Sequence, residues 1–164
     1  FYIRSLPDAD LALRLRPLLS EAISDATLAG LVPLVRERME RLTDAVDLSA
    51  FLAEPDEVVA GWWDVDDLLP KGRELGEVPG ALGVARDALA ASGEWSAEEL
   101  ETAGRGAAEE LGWKAGDFFR PIRLVVTGKS VSPPLFGSMV LLGRERTLAR
   151  LDEALERLRS AAPA

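Results

Sequence analysis

The stretch LVVTGKSVSPPLFGSMVLLGRERTLARL, residues 124–151, decides how the whole chain is interpreted. It contains Gly128-Lys129-Ser130, the triplet that closes a nucleotide-binding P-loop, where bare backbone N–H groups wrap the phosphates. That loop needs a glycine at the position that Arg123 occupies, and the residues between are mainly branched and apolar. The spacing excludes a P-loop, so this stretch must have another use.

Helical spacing extends in both directions from this stretch. On the carboxy-terminal side, a helix that starts at Gly143 is predicted from four leucines: Leu148, Leu151, Leu155 and Leu158. Four arginines are expected on its exposed side: Arg144, Arg146, Arg150 and Arg157. These arginines and Lys129 are interpreted either as phosphate contacts or as an ordinary charged helix end. On the amino-terminal side, residues 120–128 favour a helix over a strand, because an isolated strand has nothing to pair with.

The earlier part of the chain also predicts helices. Asp8 is a plausible N-cap of an opening helix that Pro17 kinks or breaks. A longer helix is expected over about residues 25–46, although Pro33 divides its first turns from the rest, and Arg38 borders its apolar stripe.

A further helix is expected between Ser96 and Gly112. Ser96 with Glu99 has the pattern of a capping box, and Gly112 is a natural helix stop. The triplet Gly104-Arg105-Gly106 weakens such a helix by roughly 1 kcal/mol per glycine relative to alanine. A close approach of another backbone is the expected reason for the triplet.

These patterns predict an all-α fold. The mixture of proline, glycine and acidic residues over residues 54–80 marks a change in composition. The chain is therefore expected to have two helical parts, residues 1–53 and residues 54–164.

The composition excludes several classes of function. The 164 residues include no cysteine and no histidine, so disulfides, thiolate metal sites and Ser-His-Asp relays are impossible. Asp64, Asp66 and Asp67 resemble the start of a calcium loop but lack its glycine and its final glutamate, which favours a solvated loop. No catalytic group, cofactor site or metal site is expected in this chain, and no apolar run approaches a membrane span. A cytoplasmic fragment of a longer protein is expected, since the chain opens at Phe1 and lacks cysteine.

The charge is unevenly distributed along the chain. The net charge is −9, which by itself disfavours a nucleic-acid partner. However, residues 1–53 carry six basic and eight acidic side chains, residues 54–119 five and sixteen, and residues 120–164 eight and four. A polyanion could dock on the two ends and avoid the middle. An evenly solvated surface is the alternative.

The order of motifs over residues 113–155 resembles a known family. Pro121-Ile122-Arg123 and Thr127-Gly128 are followed by Pro133-Pro134-Leu135-Phe136 and then by LLGRER, residues 141–146. This order closely resembles the carboxy-terminal anticodon-binding region of bacterial glutamyl-tRNA synthetases. The resemblance extends back through EWSAEEL (94–100) and, more weakly, through LVRERMERL (34–42) to RLRPLL (14–19), and residues 54–90 match least.

The resemblance implies an all-α anticodon-binding region of the α-helix-cage type, in two helical pieces. It implies RNA contacts at five residues: Arg38, Arg105, Arg123, Ser132 and Leu135. Arg38 matches the arginine that reads the third anticodon base, which separates glutamate tRNA from glutamine tRNA. Pro134 departs from the family, where a glycine is common, and it removes an N–H donor.

Each of these five residues also has a purely structural interpretation. Arg38 and Arg105 could be solvated or form an ion pair within a helix. Ser132 could stabilise a turn, and Leu135 could be ordinary core.

The implied partner is the anticodon loop of glutamate tRNA, with no DNA and no membrane, and a monomer is expected. ATP and magnesium would serve the parent enzyme upstream of this chain. The alternative from a different class is a stand-alone helical module that binds a protein partner through an exposed Trp62-Trp63 pair.

Overall fold

The computed structural model describes residues 2–161, and side chains from residue 3 to residue 161. Within that range the regular elements are all helical, which confirms the predicted all-α class. The α-helices are α1 (Tyr2–Ser5), α2 (Asp8–Leu15), α3 (Asp25–Val35), α4 (Asp44–Ala53), α5 (Asp56–Ala60), α6 (Val78–Ala90), α7 (Ala97–Leu111), α8 (Ala115–Thr127), α9 (Leu135–Leu142) and α10 (Arg144–Ala161). Short 3-10 turns cover Arg16–Leu18, Arg36–Arg38, Val65–Leu68 and Leu75–Glu77.

The opening helix starts one residue earlier than its predicted cap implies. Pro7 is the N-cap of α2, and Asp8 is its first helical residue, where a carboxylate is favourable beside the positive helix end. Pro17 breaks the helix as expected, because a 3-10 turn over Arg16–Leu18 leads directly into the extended residue Leu19.

The single helix expected over residues 25–46 is wrong. Helix α3 runs through Pro33 and ends at Val35, and Arg38 lies at the end of a 3-10 turn. Met39 is extended, yet its side chain is fully buried. The chain turns here because the Asp44 carboxylate accepts hydrogen bonds from the backbone N–H groups of residues 40 and 41, both at 2.9 Å. A side chain that binds backbone donors in this way competes with continued helix.

Helix α7 has half of its predicted capping box. The Ser96 hydroxyl accepts a hydrogen bond from the Glu99 N–H at 3.3 Å, but the Glu99 carboxylate accepts from the Glu94 N–H at 2.9 Å instead of from Ser96. Gly112 ends the helix with a φ of 71°, as predicted. A Cβ at Gly104 would lie 3.1 to 3.2 Å from the rings of Phe136 and Phe119, so side chains and not a second backbone approach it.

The helix predicted over residues 120–128 is confirmed as the second half of α8, and Pro121 lies inside it. Helix α10 packs on α6, α8, α5 and α9, and α9 also packs on α3 and α7. One buried apolar cluster therefore extends from Ile3 to Leu158. The division at residues 53 and 54 falls directly after α4 and stays a prediction. No helix within residues 2–161 is both long enough and apolar enough to cross a membrane.

Candidate nucleic-acid interface

The Gly128-Lys129-Ser130 triplet lies at the end of helix α8. Gly128 has a φ of 75° and its N–H donates to the Leu124 carbonyl at 2.7 Å, which is the geometry of a helix stop. A Cβ at this position would lie 2.5 Å from the ring of Trp62. Glycine is therefore required here by backbone conformation and by packing, and the triplet is part of a turn.

Arg123 anchors the far side of that turn, which we call the 128–134 turn. Its Nη1 donates to the Ser132 Oγ at 2.7 Å and to the Pro133 carbonyl at 3.2 Å. Ser132 is buried, and its hydroxyl also donates to the Pro133 carbonyl at 2.8 Å. Pro134 then caps helix α9, which begins at Leu135. The guanidinium is held in one orientation by the turn beside it.

Arg38 lies near enough to Arg123 for their positive charges to interact. Burial, and secondly the nearby positive charge of Arg38, lower the pKa of Arg123 from its ordinary value. Arg38 is exposed, and its one hydrogen bond is a long contact of 3.5 Å from Nη1 to the Leu34 carbonyl. Among residues 3–161 neither guanidinium forms an ion pair with a carboxylate. Two like charges without a counter-ion favour the approach of an anion or an electron-rich base edge.

Arg105 lies on helix α7 and is engaged locally. Its Nε donates to the Glu101 carboxylate at 2.8 Å, so the ion pair within a helix that the sequence left open does form. Its guanidinium carbon also lies 5.9 Å from the centroid of the Phe119 ring. Phe119 meets Phe136 edge to face, with ring centroids 5.2 Å apart. These half-buried rings connect Arg105 to the helices that carry Arg123 and Leu135, and an RNA role for Arg105 stays a prediction.

Leu135 and Ser132 are both largely buried, with 4% and 6% of their surface exposed. Leu135 packs in the core at the first position of α9, and Ser132 stabilises the turn through Arg123. Both structural interpretations therefore hold. Because both side chains are buried, an RNA contact at either residue would have to use the backbone of the turn, and that contact stays a prediction.

The exposed arginine row predicted for helix α10 is wrong. Arg150 is only 3% exposed, donates to the carbonyls of Val126 and Phe51, and pairs with Asp56 at 2.8 Å. Its pKa is lowered by burial, although Asp56 opposes that shift. Arg146 reaches the same carboxylate and donates to the carbonyls of Leu52 and Glu54.

Arg144 and Arg157 are used in the same way. Arg144 donates to the carbonyls of Ala90 and Ser92, at 3.1 and 2.8 Å. Arg157 donates to the carbonyls of Ala60 and Trp63, and its guanidinium carbon lies 3.7 Å from the centroid of the Trp63 ring. The arginines of α10 thus donate mainly to acceptors within the protein.

The tryptophan pair expected to be exposed is divided between surface and core. Trp62 is 37% exposed, whereas Trp63 is 2% exposed. Lys129 lies 5.4 Å from the centroid of the Trp62 ring and donates to the Asp47 carbonyl at 3.2 Å. Trp62 and Lys129 therefore hold the start of the 128–134 turn, and the protein-interaction alternative loses one of its two anchors.

Three side chains of this region were not singled out from the sequence as site residues: Phe119, Arg120 and Phe136. Phe119 and Arg123 are four residues apart on α8, and Arg120 lies three residues before Arg123. The spacing in DFFRPIR contained this signal, because residues three and four apart are neighbours on a helix. No group of three acidic side chains that could hold a metal ion occurs in the part of the chain that the structure describes.

The helical scaffold defines an all-α domain, and the two arginines without carboxylate partners near the 128–134 turn are its candidate binding residues. A family model described as "Anticodon binding domain" matches residues 10–155. This chain therefore belongs to the anticodon-binding domain family.

Two relatives illustrate the similarity. The glutamate–tRNA ligase of Chloroflexus aurantiacus is 38% identical over an alignment of 170 positions, which covers 98% of this chain and 34% of that protein. The glutamate–tRNA ligase of Acidothermus cellulolyticus is 43% identical over an alignment of 164 positions, which covers 93% of this chain and 32% of that protein. The chain thus spans about a third of the length of the curated relatives it matches.

Solved structures show the same fold. The crystal structure of a glutamate tRNA ligase from Elizabethkingia meningosepticum in complex with its amino acid matches with a TM-score of 0.75 at 19% identity, over 96% of this chain and 30% of that one. The glutamate-tRNA synthetase of Elizabethkingia anophelis matches with a TM-score of 0.71 at 20% identity, over 94% of this chain and 30% of that one.

Proposed function

We propose that this chain is the tRNA-binding portion of a glutamate–tRNA ligase and that it binds the anticodon loop of glutamate tRNA. The observation that carries the proposal is the pair Arg38 and Arg123. The two positive charges interact, neither has a carboxylate partner within residues 3–161, and Arg123 is bonded to the 128–134 turn. Membership of the anticodon-binding domain family and similarity to glutamate–tRNA ligases support it. The parent protein would act in the cytoplasm, and this portion would bind as a monomer.

The five residues take different parts in this proposal. Arg38 is exposed and only weakly held, so its head is free to donate two parallel hydrogen bonds to the third anticodon base. Arg123 is held by Ser132 and Pro133 and presents a fixed positive group to the loop. Leu135 packs in the core directly after the turn, and Arg105 on α7, which lies over the Phe119 ring, would contact the anticodon loop.

Activation of glutamate with ATP and magnesium would belong to the rest of the parent protein. Residues 2–161 provide no site that fits ATP or magnesium. Gly128 and Lys129, which resemble part of a phosphate-binding loop, are occupied by the contacts with Trp62 and Asp47. In this portion, binding would direct the correct tRNA to the chemistry elsewhere.

The test is the affinity of the 164-residue chain for anticodon stem-loops, measured by fluorescence anisotropy at low salt. The matched glutamate stem-loop should bind more tightly than one changed at the third anticodon base. Arg38→Gln should reduce that difference, with a lost base contact costing about 1–3 kcal/mol. Arg159→Gln is the control, since Arg159 is an exposed arginine that pairs with Glu156 on α10. Equal binding of both stem-loops by the unchanged chain would contradict the proposal.

A further inference from the structure

Few basic side chains of this chain are available to a ligand. Within the described residues, four have neither a hydrogen bond, an ion pair nor a ring contact from the side chain: Arg41, Lys71, Lys114 and Arg120. The arginines of α10 are occupied by carbonyls and carboxylates, and Lys129 is occupied by Asp47. The cations that a polyanion could recruit are therefore these four and the Arg38–Arg123 pair.

Arg120 is the one of the four that lies on α8 beside Arg123, whereas the positive charge of Arg41 acts on the Asp44 carboxylate and, after the backbone hydrogen bonds, helps to lower its pKa. Arg120 lies three residues before Arg123 on α8, which places it about one helical turn away and roughly 60° around the helix. Lys114 lies nine residues before Arg123, which at about 100° per residue corresponds to the opposite side of the helix. Lys71 lies in the loop before the 3-10 turn Leu75–Glu77, away from α8 in sequence.

Nothing in the surroundings holds Arg120 in one orientation. Its side chain is exposed, and it forms no ion pair with Asp117, although that residue lies one turn before it on the same helix. This differs from Arg123, whose guanidinium is fixed by Ser132 and Pro133. A phosphate can be bound by a guanidinium without a fixed orientation, because a phosphate contact carries no sequence information.

We propose that Arg120 binds a backbone phosphate of the RNA loop, next to the nucleotide contacted by Arg123. The proposal rests on the proposed function and adds a contact that supplies affinity without sequence preference. The spacing supports it, because positions three residues apart on a helix are neighbours, about 5–6 Å between Cβ atoms, so the two guanidiniums can reach neighbouring groups of one strand. Arg38, in the 3-10 turn after α3, and Arg120 and Arg123, within α8, would then form a row of positive charges.

The experiment compares two variants that lose the same charge from the same end of the molecule. Arg120→Gln and Lys114→Gln are made in the 164-residue chain, and binding of matched and mismatched stem-loops is followed over a salt series. Arg120→Gln should weaken both complexes by the same factor, about fivefold to tenfold, and reduce the slope of log K against log salt by about 1. Lys114→Gln should leave affinity and slope nearly unchanged, and Arg120→Lys should keep the slope.

The outcomes separate the two proposals. Equal effects of Arg120→Gln and Lys114→Gln would overturn the Arg120 contact and indicate a general effect of net charge. A loss confined to the matched stem-loop would also overturn it, since that result identifies a base contact. No binding of any stem-loop by the unchanged chain would overturn the proposed function itself. Because Arg120 has no internal contact, its variants should retain the wild-type melting curve, which is checked in parallel.

Discussion

Two sets of arginines in this chain look alike in the sequence and differ entirely in the structure. Arg144, Arg146, Arg150 and Arg157 on α10 donate to carbonyls that lie at or just past the carboxy-terminal ends of α4, α5, α6 and α8. Within the part of the chain that the structure describes, Arg38, Arg120 and Arg123 form no ion pair with a carboxylate. The first set connects distant helices, whereas the second keeps its positive charge without a carboxylate partner in that part of the chain.

The positions of hydrogen-bond acceptors, and not the number of positive charges, determine which arginines have internal partners. The last carbonyls of a helix have no partner within the helix and carry partial negative charge. Helix α10 crosses four such ends, and Asp56 adds a carboxylate that two of its arginines share. The basic helix α10 thus has its positive charges paired inside the protein, whereas three arginines that are scattered in the sequence keep theirs without a carboxylate partner among residues 3–161.

The largest expected effect on stability comes from replacing Arg150, the most buried arginine of the first set. Arg150→Ala should lower the free energy of unfolding by about 3 kcal/mol, because the carbonyls of Val126 and Phe51 lose their donor and Asp56 loses a buried partner. Urea unfolding measures this loss, which corresponds to a fall in melting temperature of about 10 °C. Arg159→Ala is the matched control and should stay within about 0.5 kcal/mol of the parent. Similar losses in both variants would remove the distinction between the two sets.

The next effect concerns the turn that supports the second set. Gly128→Ala should destabilise the chain by about 2 kcal/mol, since it combines a positive φ with a clash against Trp62. Gly106→Ala is the control in the opposite direction. Gly106 is exposed within α7 with open space around it, so alanine should stabilise the helix by about 0.5–1 kcal/mol. If thermal unfolding showed both variants shifting in the same direction, the constraint at Gly128 would be refuted.

Arg123→Gln sharpens the comparison with Arg150. The substitution removes the hydrogen bonds to Ser132 and Pro133 but also relieves the repulsion from Arg38, so stability should fall by only about 1 kcal/mol. Stem-loop affinity should fall more than stability, whereas Arg150→Ala should do the opposite. Chemical unfolding and anisotropy on the same samples provide the two values. A loss of stability without a loss of RNA affinity would place Arg123 with the internal set.

The smallest effect is a dependence on pH near Arg38. Hydrogen bonds from the backbone of Arg41, and then of Glu40, lower the pKa of Asp44 below its ordinary value of 3.8. The unfolded chain therefore takes up this proton first, so the contribution of Asp44 is complete above that value and is lost as the pH falls through the folded pKa. Melting temperatures measured from about pH 5 to about pH 2 should fall more steeply for the parent than for Asp44→Asn. Identical slopes would show that Asp44 does not hold the segment after Arg38.

Helix α7 and the final helix were predictable because their signals are local. Apolar spacing, the Ser96 cap and the stop at Gly112 depend on residues within a few positions of one another. The end of α3 was not predictable from periodicity, since the stripe continues through Met39 while the Asp44 carboxylate turns the backbone away. Arg38 could be selected by resemblance to the family, but its place on a 3-10 turn could not.

Neighbouring residues were sufficient to predict the all-α class and the family, because helix periodicity and motif order are local properties of the sequence. Which arginines have internal partners depended on the folded chain. That outcome depends on where helix ends and carboxylates from distant segments lie, as when Phe51, Asp56 and Val126 converge on Arg150. A charge in the sequence has no partner until the chain is folded. Folding here gave the arginines of α10 internal acceptors, and it left Arg38 exposed and Arg123 half-buried, with no carboxylate partner for either within residues 3–161.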